Sequence, residues 1–286
     1  MPNPLLNKPT KGYTKHLPID QELQEQIHQA NIEVHRSEAK LYELLHPEVY
    51  SRKEQKRITT QLKNIDKQIA DNKKNALDVG AGTGNLTGKL LEMGYRVTAT
   101  DISPEMCAIL NRKYSAYMPN KLTVLNGPIE DLTFSEGKFD LITCYSVLHH
   151  LPDYLSAVRK LSGFLKKGGV LYIDHEASPF YWTGESSMLA SIIKGFTFHS
   201  NPIINSFYFQ IIGLKIPTID YTLSDYWHKK EHALDHQAVA QVFRQQGFAS
   251  YKRSDHYLTG TWLPNPLSYL YRLVCKPEMS FWVAKK

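Results

Sequence analysis

The chain has 286 residues, 42% of them hydrophobic and 22% charged, and its 34 basic and 28 acidic side chains give a formal net charge of +6. This length supports one sizeable core with appended elements rather than two independent domains. The mild, scattered positive charge argues against a nucleic-acid-binding surface, which needs a longer basic track. Without a signal-peptide pattern or a run of about 18 apolar residues, the chain is predicted to be cytoplasmic and to have no membrane span.

A proline-containing arm and two amphipathic helices are predicted before the first strand. The arm covers residues 1–18. Asp20 is placed to cap a helix whose apolar residues recur at helical spacing, namely Leu23, Ile27, Ala30 and Val34. Ser51 and Glu54 have the spacing of a capping box. The helix that they open carries one apolar stripe, formed by Ile58, Leu62, Ile65 and Ile69.

From residue 75 onward, short strands alternate with helices. The predicted strands are 75–79, 95–101, 121–125, 139–144 and 170–175, the last one following a turn at Gly168 and Gly169. This alternation is typical of a doubly wound parallel sheet. An aromatic-rich segment at 178–230 interrupts it. A helix over 235–246 and strands over 248–256 and 279–284 complete the predicted elements.

The segment Leu77–Thr87 is a glycine-rich loop between a strand and a helix. Glycines at alternate positions allow a sharp turn and a close approach of the backbone to a ligand. A dinucleotide-binding loop has its third glycine one residue later. Asp78, just before the loop, would repel a pyrophosphate but suits a cationic amine or sulfonium. A nicotinamide-dependent oxidoreductase is therefore the least favoured of the alternatives.

Three segments, Leu77–Thr87, Asp101 and Phe139–Asp153, resemble in order and spacing the successive motifs of the class I S-adenosylmethionine-dependent methyltransferases. The resemblance covers about residues 75–177, and 231–286 more loosely. It implies an α/β, Rossmann-like fold: a doubly wound seven-stranded sheet, mostly parallel, with the last strand inserted antiparallel. It also implies S-adenosyl-L-methionine as the cofactor and leaves the acceptor open.

The resemblance further implies which residues hold the cofactor. The backbone at Gly80 and Gly82 would lie against its methionyl part, Asp101 would accept the ribose hydroxyls, and the Cys144 carbonyl would receive the methionyl amine. Relatives commonly carry an aspartate where Pro128 stands, so the contact to the adenine amine must come from Glu130, from water, or be absent. The predicted cofactor-binding set is Asp78, Gly80, Ala81, Gly82, Asp101, Ile102, Pro128, Ile129, Glu130, Cys144 and Tyr145.

Methyl transfer from a sulfonium is an in-line displacement, in which the protein mainly aligns the acceptor and excludes water. A general base helps only when the acceptor is a hydroxyl or an amine that must lose a proton. His175 and Glu176, at the end of the fifth strand, are predicted to orient or deprotonate the acceptor. His149, with His150 beside it, is a further candidate, and a helix cap or a structural histidine is the alternative.

The two flanking regions are predicted to cover the site. Residues 1–74 would form an arm and helices that cap it, attached to a methyltransferase domain at 75–286, in which 178–230 is a lid-like insert containing helical and aromatic residues. A lid of this composition predicts a bulky apolar or aromatic small-molecule acceptor, although the same segment would also suit a subdomain core or a homodimer contact.

Several alternatives stay open. The segment beginning at Cys144 lacks the Asn/Asp-Pro-Pro-aromatic pattern of exocyclic amine methylation, so nucleic acid is not predicted as a partner. Methylation of a protein or RNA, and a catalytically silent cofactor-binding domain, remain possible. The three cysteines, Cys107, Cys144 and Cys275, are far apart in the sequence and predict neither a metal site nor a disulfide framework.

Overall fold

The computed structural model describes residues 19–69, 74–181, 220–228, 233–257, 272–273 and 276–286. Its strands are β1 (Asn75–Val79), β2 (Arg96–Asp101), β3 (Leu122–Asn126), β4 (Phe139–Tyr145), β5 (Leu165–Ala177), β6 (Ser250–His256) and β7 (Met279–Lys285). Its α-helices are α1 (Gln21–Glu38), α2 (Tyr42–Leu45), α3 (Pro47–Tyr50), α4 (Arg52–Asp66), α5 (Asn85–Glu92), α6 (Pro104–Lys113), α7 (Tyr154–Phe164) and α8 (His236–Gln245). No helix in these ranges is long and apolar enough to cross a membrane.

The seven described strands form one sheet in the order β3-β2-β1-β4-β5-β7-β6. Strands β1 to β5 run parallel, and β7 is antiparallel to both β5 and β6. The predicted fold class is thereby confirmed. The strand order reverses between β1 and β4, and in doubly wound sheets ligands bind at the carboxyl ends of the strands beside such a reversal.

Each face of the sheet carries its own hydrophobic core. On one face α7 and α8 contribute Val158, Leu161 and Val239 against Leu77 and Ile142. The other face is covered by α4 and α5 and includes the residues Ile58, Leu62, Leu90, Leu141 and Tyr172. Helix α4, although it precedes the first strand, therefore packs directly on the sheet and fixes the position of the α1–α4 region.

Both predicted helix caps are present, but one differs in detail. The Asp20 carboxylate accepts the Leu23 N–H at 2.8 Å, and Ser51 Oγ accepts the Glu54 N–H at 3.2 Å. The reciprocal half of the predicted capping box does not form, since in the described ranges the Ser51 N–H donates no hydrogen bond to the Glu54 carboxylate. That carboxylate binds the Arg57 guanidinium instead, which offers it a full positive charge and two hydrogen bonds, one to each oxygen.

Strand β5 is longer and less regular than predicted. It begins at Leu165, so Gly168 and Gly169 lie within it as an irregularity rather than in a turn before it. Its pairing with β7 shifts register between Ile173 and Glu176. A bulge at this place re-aims the side chains at the carboxyl end of the strand. Most of the predicted insert, 182–219 and 229–230, lies outside the described residues.

Candidate active site

The glycine loop after β1 takes the left-handed backbone that its sequence predicts. Gly80, Gly82 and Gly84 have φ angles of 62°, 54° and 92°. A Cβ built on Gly80 would lie 2.5 Å from Cγ2 of Val147, whereas one on Gly82 would have only Tyr42 nearby, at 4.0 Å. The Gly82 backbone therefore borders open space, as a backbone surface for a ligand must.

Two clefts meet at this loop. The larger has about 670 Å³ of empty space, part of it open to solvent, and the smaller has about 350 Å³. Tyr42, Gly80, Gly82 and Tyr145 line both. The larger cleft also contains Asp101, Ile102, Pro128, Ile129 and Glu130, and the smaller contains Asp78 and Ala81. All the predicted cofactor-binding residues except Cys144 line one or both clefts. For Cys144 the predicted contact involves only its backbone carbonyl.

Two buried carboxylates support the loop in different ways. Asp101 accepts the backbone N–H groups of Gly82 at 2.8 Å and Ser103 at 2.9 Å, and burial raises its pKa. Asp78 accepts the hydroxyls of Thr87 at 2.6 Å and Thr143 at 2.7 Å. Burial raises the pKa of Asp78 to about 6. Asp78 therefore braces the loop from within, whereas Asp101 lines the larger cleft.

Part of the wall of the larger cleft is apolar. Ile102, Pro128 and Ile129 line it, and Ile129 is buried. The Glu130 carboxylate lies 3.6 Å from Nε2 of His28 and raises the pKa of that imidazole against the opposing effect of burial. Glu130, which was predicted as one substitute for the missing aspartate, thus contacts His28 of helix α1.

Helix α1 supplies cleft residues that the sequence patterns did not predict. His28, Asn31 and His35 line the larger cleft, with Tyr42 just beyond the helix. The Asn31 side-chain amide donates to the carbonyls of Ile27 at 2.9 Å and His150 at 3.1 Å, which pins α1 to the segment after β4. The only sequence signal was the spacing of these polar residues, which places them on one helix face.

Glu176 and His149, two of the predicted catalytic residues, are paired inside the protein. The Glu176 carboxylate accepts the N–H groups of Val147 at 3.0 Å and Leu148 at 2.8 Å, and its other oxygen lies 2.8 Å from Nδ1 of His149. Burial opposes a charge on His149, but the Glu176 carboxylate raises its pKa above the usual value. The pair therefore holds the turn that follows β4.

His175, the third predicted catalytic residue, stands at the β5 bulge with a φ of 62°. Its Nδ1 lies 3.1 Å from the Tyr145 hydroxyl, and the two rings stack with centroids 4.9 Å apart. The same hydroxyl donates to the Glu54 carboxylate at 2.9 Å. Burial lowers the pKa of His175 to about 4. His175 is therefore a neutral side chain behind Tyr145. Tyr145 lines both clefts, whereas His175, Glu176 and His149 line neither of them.

Two groups of described residues have metal-ligand geometry. They are Glu54 with His175 and His256, and His149 with His150 and Asp225, each with its ligand atoms within 4.8 Å of one another. In the first group the Arg57 guanidinium lies 2.5 Å from the same Glu54 oxygen and opposes a second cation. In the second, Nδ1 of His150 already binds the Ser224 carbonyl at 2.8 Å. We assign no metal to either group, and the predicted absence of a metal site stays a prediction.

Comparison with known proteins bears on the same residues. Residues 77–173, which include the glycine loop, Asp101 and the β4 segment, match the family model described as a methyltransferase domain. This match bears out a methyltransferase domain over residues 77–173. A methyltransferase domain agrees with S-adenosylmethionine, the cofactor that the sequence motifs predict.

Relatives place the similarity in this domain. Over 99 residues the chain is 35% identical to a protein of Xanthomonas campestris named ubiquinone biosynthesis O-methyltransferase, which covers 34% of this chain and 41% of that protein. The protein from Xanthomonas euvesicatoria with the same name is also 35% identical over 99 residues, covering 34% of this chain and 41% of its own. The match thus spans about two fifths of these relatives.

Solved structures support the fold. An S-adenosylmethionine-dependent methyltransferase from Mesorhizobium loti has a TM-score of 0.52 and 18% identity, covering 78% of this chain and 96% of that chain. One from Archaeoglobus fulgidus has a TM-score of 0.51 and 14% identity, covering 86% and 100%. At such identities the likeness concerns the fold alone.

The cleft residues fit the cofactor chemically. Open space beside Gly82 admits a ligand against the backbone, and the Asp101 carboxylate can accept further hydrogen bonds, having about four lone-pair sites. The aromatic rings of Tyr42 and Tyr145, at the junction of the two clefts, suit a sulfonium cation.

Proposed function

We propose that the protein transfers a methyl group from S-adenosylmethionine to a small-molecule acceptor by in-line displacement. The observation that carries the proposal is the junction of two clefts at Tyr42, Gly80, Gly82 and Tyr145, within a segment that matches a methyltransferase domain. A donor that occupies one cleft and an acceptor that enters the other would meet at these residues.

When bound, the cofactor supplies an electrophilic methyl group on a good leaving group. In this proposal Asp101 binds the ribose hydroxyls, Ile102 and Ile129 pack on the adenine, and the Gly80 and Gly82 backbone contacts the methionyl part. Helix α1 supplies His28, Asn31 and His35 to the wall of this cleft, and in this proposal it would exclude water from the bound cofactor, which strengthens electrostatic interactions.

For the acceptor we propose a bulky apolar or aromatic small molecule that bears a hydroxyl. Val49, Tyr50 and Leu86 join Tyr42 and Tyr145 in the smaller cleft, which gives it an apolar and aromatic wall. The name of the Xanthomonas relatives, ubiquinone biosynthesis O-methyltransferase, also points to an oxygen acceptor. The lid role of 178–230, the capping role of 1–74, a homodimer and a cytoplasmic location remain predictions.

The contact of His175 with the acceptor stays a prediction, since this residue lies behind Tyr145. Glu176 and His149, predicted from the sequence as further catalytic residues, would act by holding the turn beside the cofactor, since the Glu176 carboxylate already accepts Val147 N–H, Leu148 N–H and His149. Their contact with the acceptor remains a prediction.

Calorimetry and turnover test the proposal together. The protein should bind S-adenosylhomocysteine and not NAD. It should release S-adenosylhomocysteine from S-adenosylmethionine when offered members of a panel of phenols, catechols and hydroxyquinones, and not with amines, RNA or peptides. Binding without turnover on any acceptor would indicate a silent binding domain, and turnover on RNA or peptides alone would contradict a small-molecule acceptor.

A further inference from the structure

Helix α1 contributes to the wall of the larger cleft, although it lies outside residues 77–173, the segment that matches the family model. Side-chain contacts hold the helix in this place. The Asn31 amide donates to the His150 carbonyl at 3.1 Å, and the Arg36 guanidinium donates to the Glu105 carboxylate of α6 at 2.9 Å. The position of α1 is therefore fixed by the fold, and a side chain that it turns toward the cleft can be part of the binding site.

His35 is the α1 residue with aromatic neighbours in the cleft wall. The centroid of its ring is 6.3 Å from that of Tyr42 and 5.5 Å from that of His150, the second contact being edge-to-face. All three residues line the larger cleft. Burial raises the pKa of Asp101, and a positive charge on His35 would lower it, so the two side chains lie within electrostatic reach of each other. His35 therefore borders the part of the cleft that contains Asp101.

The hydrogen-bond partner of His35 determines which of its ring nitrogens carries the hydrogen. Nδ1 lies 2.8 Å from the backbone carbonyl oxygen of Asn31. A carbonyl oxygen only accepts, so Nδ1 is the donor, and the neutral ring has its free lone pair on Nε2. Nε2 has no hydrogen-bond partner among the described residues, and it is not one of their fully buried unpartnered atoms. This nitrogen is therefore open to a ligand that brings a hydrogen to the cleft wall.

We propose that Nε2 of His35 accepts a hydrogen bond from one ribose hydroxyl of the bound cofactor, while the Asp101 carboxylate accepts one from the other hydroxyl. The proposal rests on the proposed methyltransferase function and deepens it, because it adds a binding residue from the N-terminal helices. A ribose has two neighbouring hydroxyls, and each can donate one hydrogen. One acceptor at the end of β2 and one on α1 match this pair.

The other hydrogen donors of the cofactor are assigned to different parts of the site. The methionyl amine is predicted to donate to the Cys144 carbonyl. The adenine, with its amine, is proposed to pack on Ile102 and Ile129. The ribose hydroxyls are therefore the donors that remain for the wall formed by Asp101 and His35.

Titration calorimetry tests this contact without turnover. The probes are S-adenosylhomocysteine and its 2′-deoxy and 3′-deoxy analogues. H35F keeps an aromatic ring beside Tyr42 and His150 but has no acceptor atom. It should bind S-adenosylhomocysteine about 2- to 10-fold more weakly than the wild type does, the effect of one neutral hydrogen bond. H35Q can place an acceptor oxygen near the position of Nε2 and should recover most of the affinity. The exposed control Q29A should match the wild type.

The two deoxy analogues separate a direct contact from a structural role. One of them should bind H35F and the wild type equally, because it lacks the hydroxyl that His35 would hold. D101A should instead become insensitive to loss of the other hydroxyl. A loss in H35F that is the same for all three ligands would overturn the proposal, and so would full affinity of H35F for S-adenosylhomocysteine. H35A allows the same comparison if urea unfolding shows that H35F does not fold.

Amide hydrogen exchange in α1 gives a second readout. S-adenosylhomocysteine should slow exchange in α1 of the wild type and slow it less in H35F, because the proposed contact joins this helix to the ligand. Equal protection of α1 in both proteins would contradict the contact. A wild type that binds S-adenosylhomocysteine but methylates no acceptor would sink the methyltransferase function, and the analogues would still judge His35. Turnover by a protein in which H35F binds every ligand normally would sink the His35 contact alone.

Discussion

The carboxylate of Asp101 accepts a hydrogen bond from the backbone N–H of Gly82 at 2.8 Å. This contact ties the carboxyl end of β2 to the glycine loop of β1, and a second oxygen accepts the Ser103 N–H at 2.9 Å. One buried carboxylate therefore shapes the loop and also borders the cleft in which we place the cofactor ribose.

Replacing Asp101 by Ala should weaken S-adenosylhomocysteine binding by about 1.5–3 kcal/mol, the range for hydrogen bonds to a charged group. That energy corresponds to roughly 10- to 150-fold in Kd. Titration calorimetry measures it, with urea unfolding to confirm that the variant is folded. The exposed Asp131→Ala is the matched control and should bind normally. Equal affinities in both variants would remove Asp101 from the cofactor site.

Gly82 and Gly94 form a natural pair for a second test. Both have left-handed backbones, with φ of 54° and 87°, and neither would place a Cβ against a close neighbour. Gly94 precedes β2, at the end of the sheet away from the cleft. Gly82→Ala and Gly94→Ala should therefore cost similar stability, roughly 1 kcal/mol each.

Only Gly82→Ala should lose affinity for S-adenosylhomocysteine, because its methyl group would enter the space beside the loop. We expect at least a tenfold loss by calorimetry, with Gly94→Ala close to wild type. If the two variants bind alike, the open space at Gly82 does not hold the ligand.

A third prediction concerns His46, whose side chain lies between a glutamate of α1 and a glutamate of α3. Its Nε2 lies 3.3 Å from Glu38 and its Nδ1 lies 3.2 Å from Glu48. Burial opposes the charge, but these carboxylates raise the pKa of His46 to about 9. Since the folded pKa exceeds the unfolded value of 6.5, the stabilisation is fully present below pH 6.5 and is lost as the pH rises through 9.

The free energy of unfolding of wild type minus that of His46→Gln should therefore shrink between pH 6.5 and 9.5. The change should be about 3 kcal/mol at most, because one pKa unit corresponds to about 1.4 kcal/mol. Urea titrations across this range measure it. A difference that is flat or grows with pH would contradict a charged His46.

Glu176 provides a fourth test, because its carboxylate is fully buried and satisfies three donors around the turn after β4. Glu176→Ala should lower the free energy of unfolding by about 3–5 kcal/mol, the cost of leaving a buried partner unpaired. Glu176→Gln keeps one acceptor oxygen and should cost less, about 1–3 kcal/mol. Chemical denaturation measures both, beside the exposed Glu136→Ala. A cost below 1 kcal/mol for Glu176→Ala would show that the turn does not depend on this side chain.

Features of the fold that depend on a short stretch of sequence could be predicted, whereas contacts between distant residues could not. Strand β1 was predicted with its observed bounds, because a short apolar run followed by a glycine loop is a local pattern. Asp101 was predicted to line the cleft because it ends a strand beside that loop, and it does so.

Other features depend on partners far away in the chain. Glu54 has the local pattern of half a capping box, yet its carboxylate also accepts the hydroxyl of Tyr145, which is 91 residues away. The left-handed φ of His175 arises where β5 changes its pairing with β7, and Asn31 meets His150 only through tertiary packing. No window of local sequence contains both partners of such a contact.

The ion pair between Arg57 and Asp174 limits where the chain can be truncated without loss of stability. Asp174 is inaccessible to solvent, and Ile58 and Leu62 of the same helix share a core with Leu141 of the sheet. A shortened protein beginning at residue 75 would keep the whole segment that matches the family model. It would, however, lose Arg57, the cationic partner of the Asp174 carboxylate. It would also expose the apolar face of the sheet that α4 covers. The cooperative unit of unfolding therefore extends upstream of the boundary that sequence similarity draws.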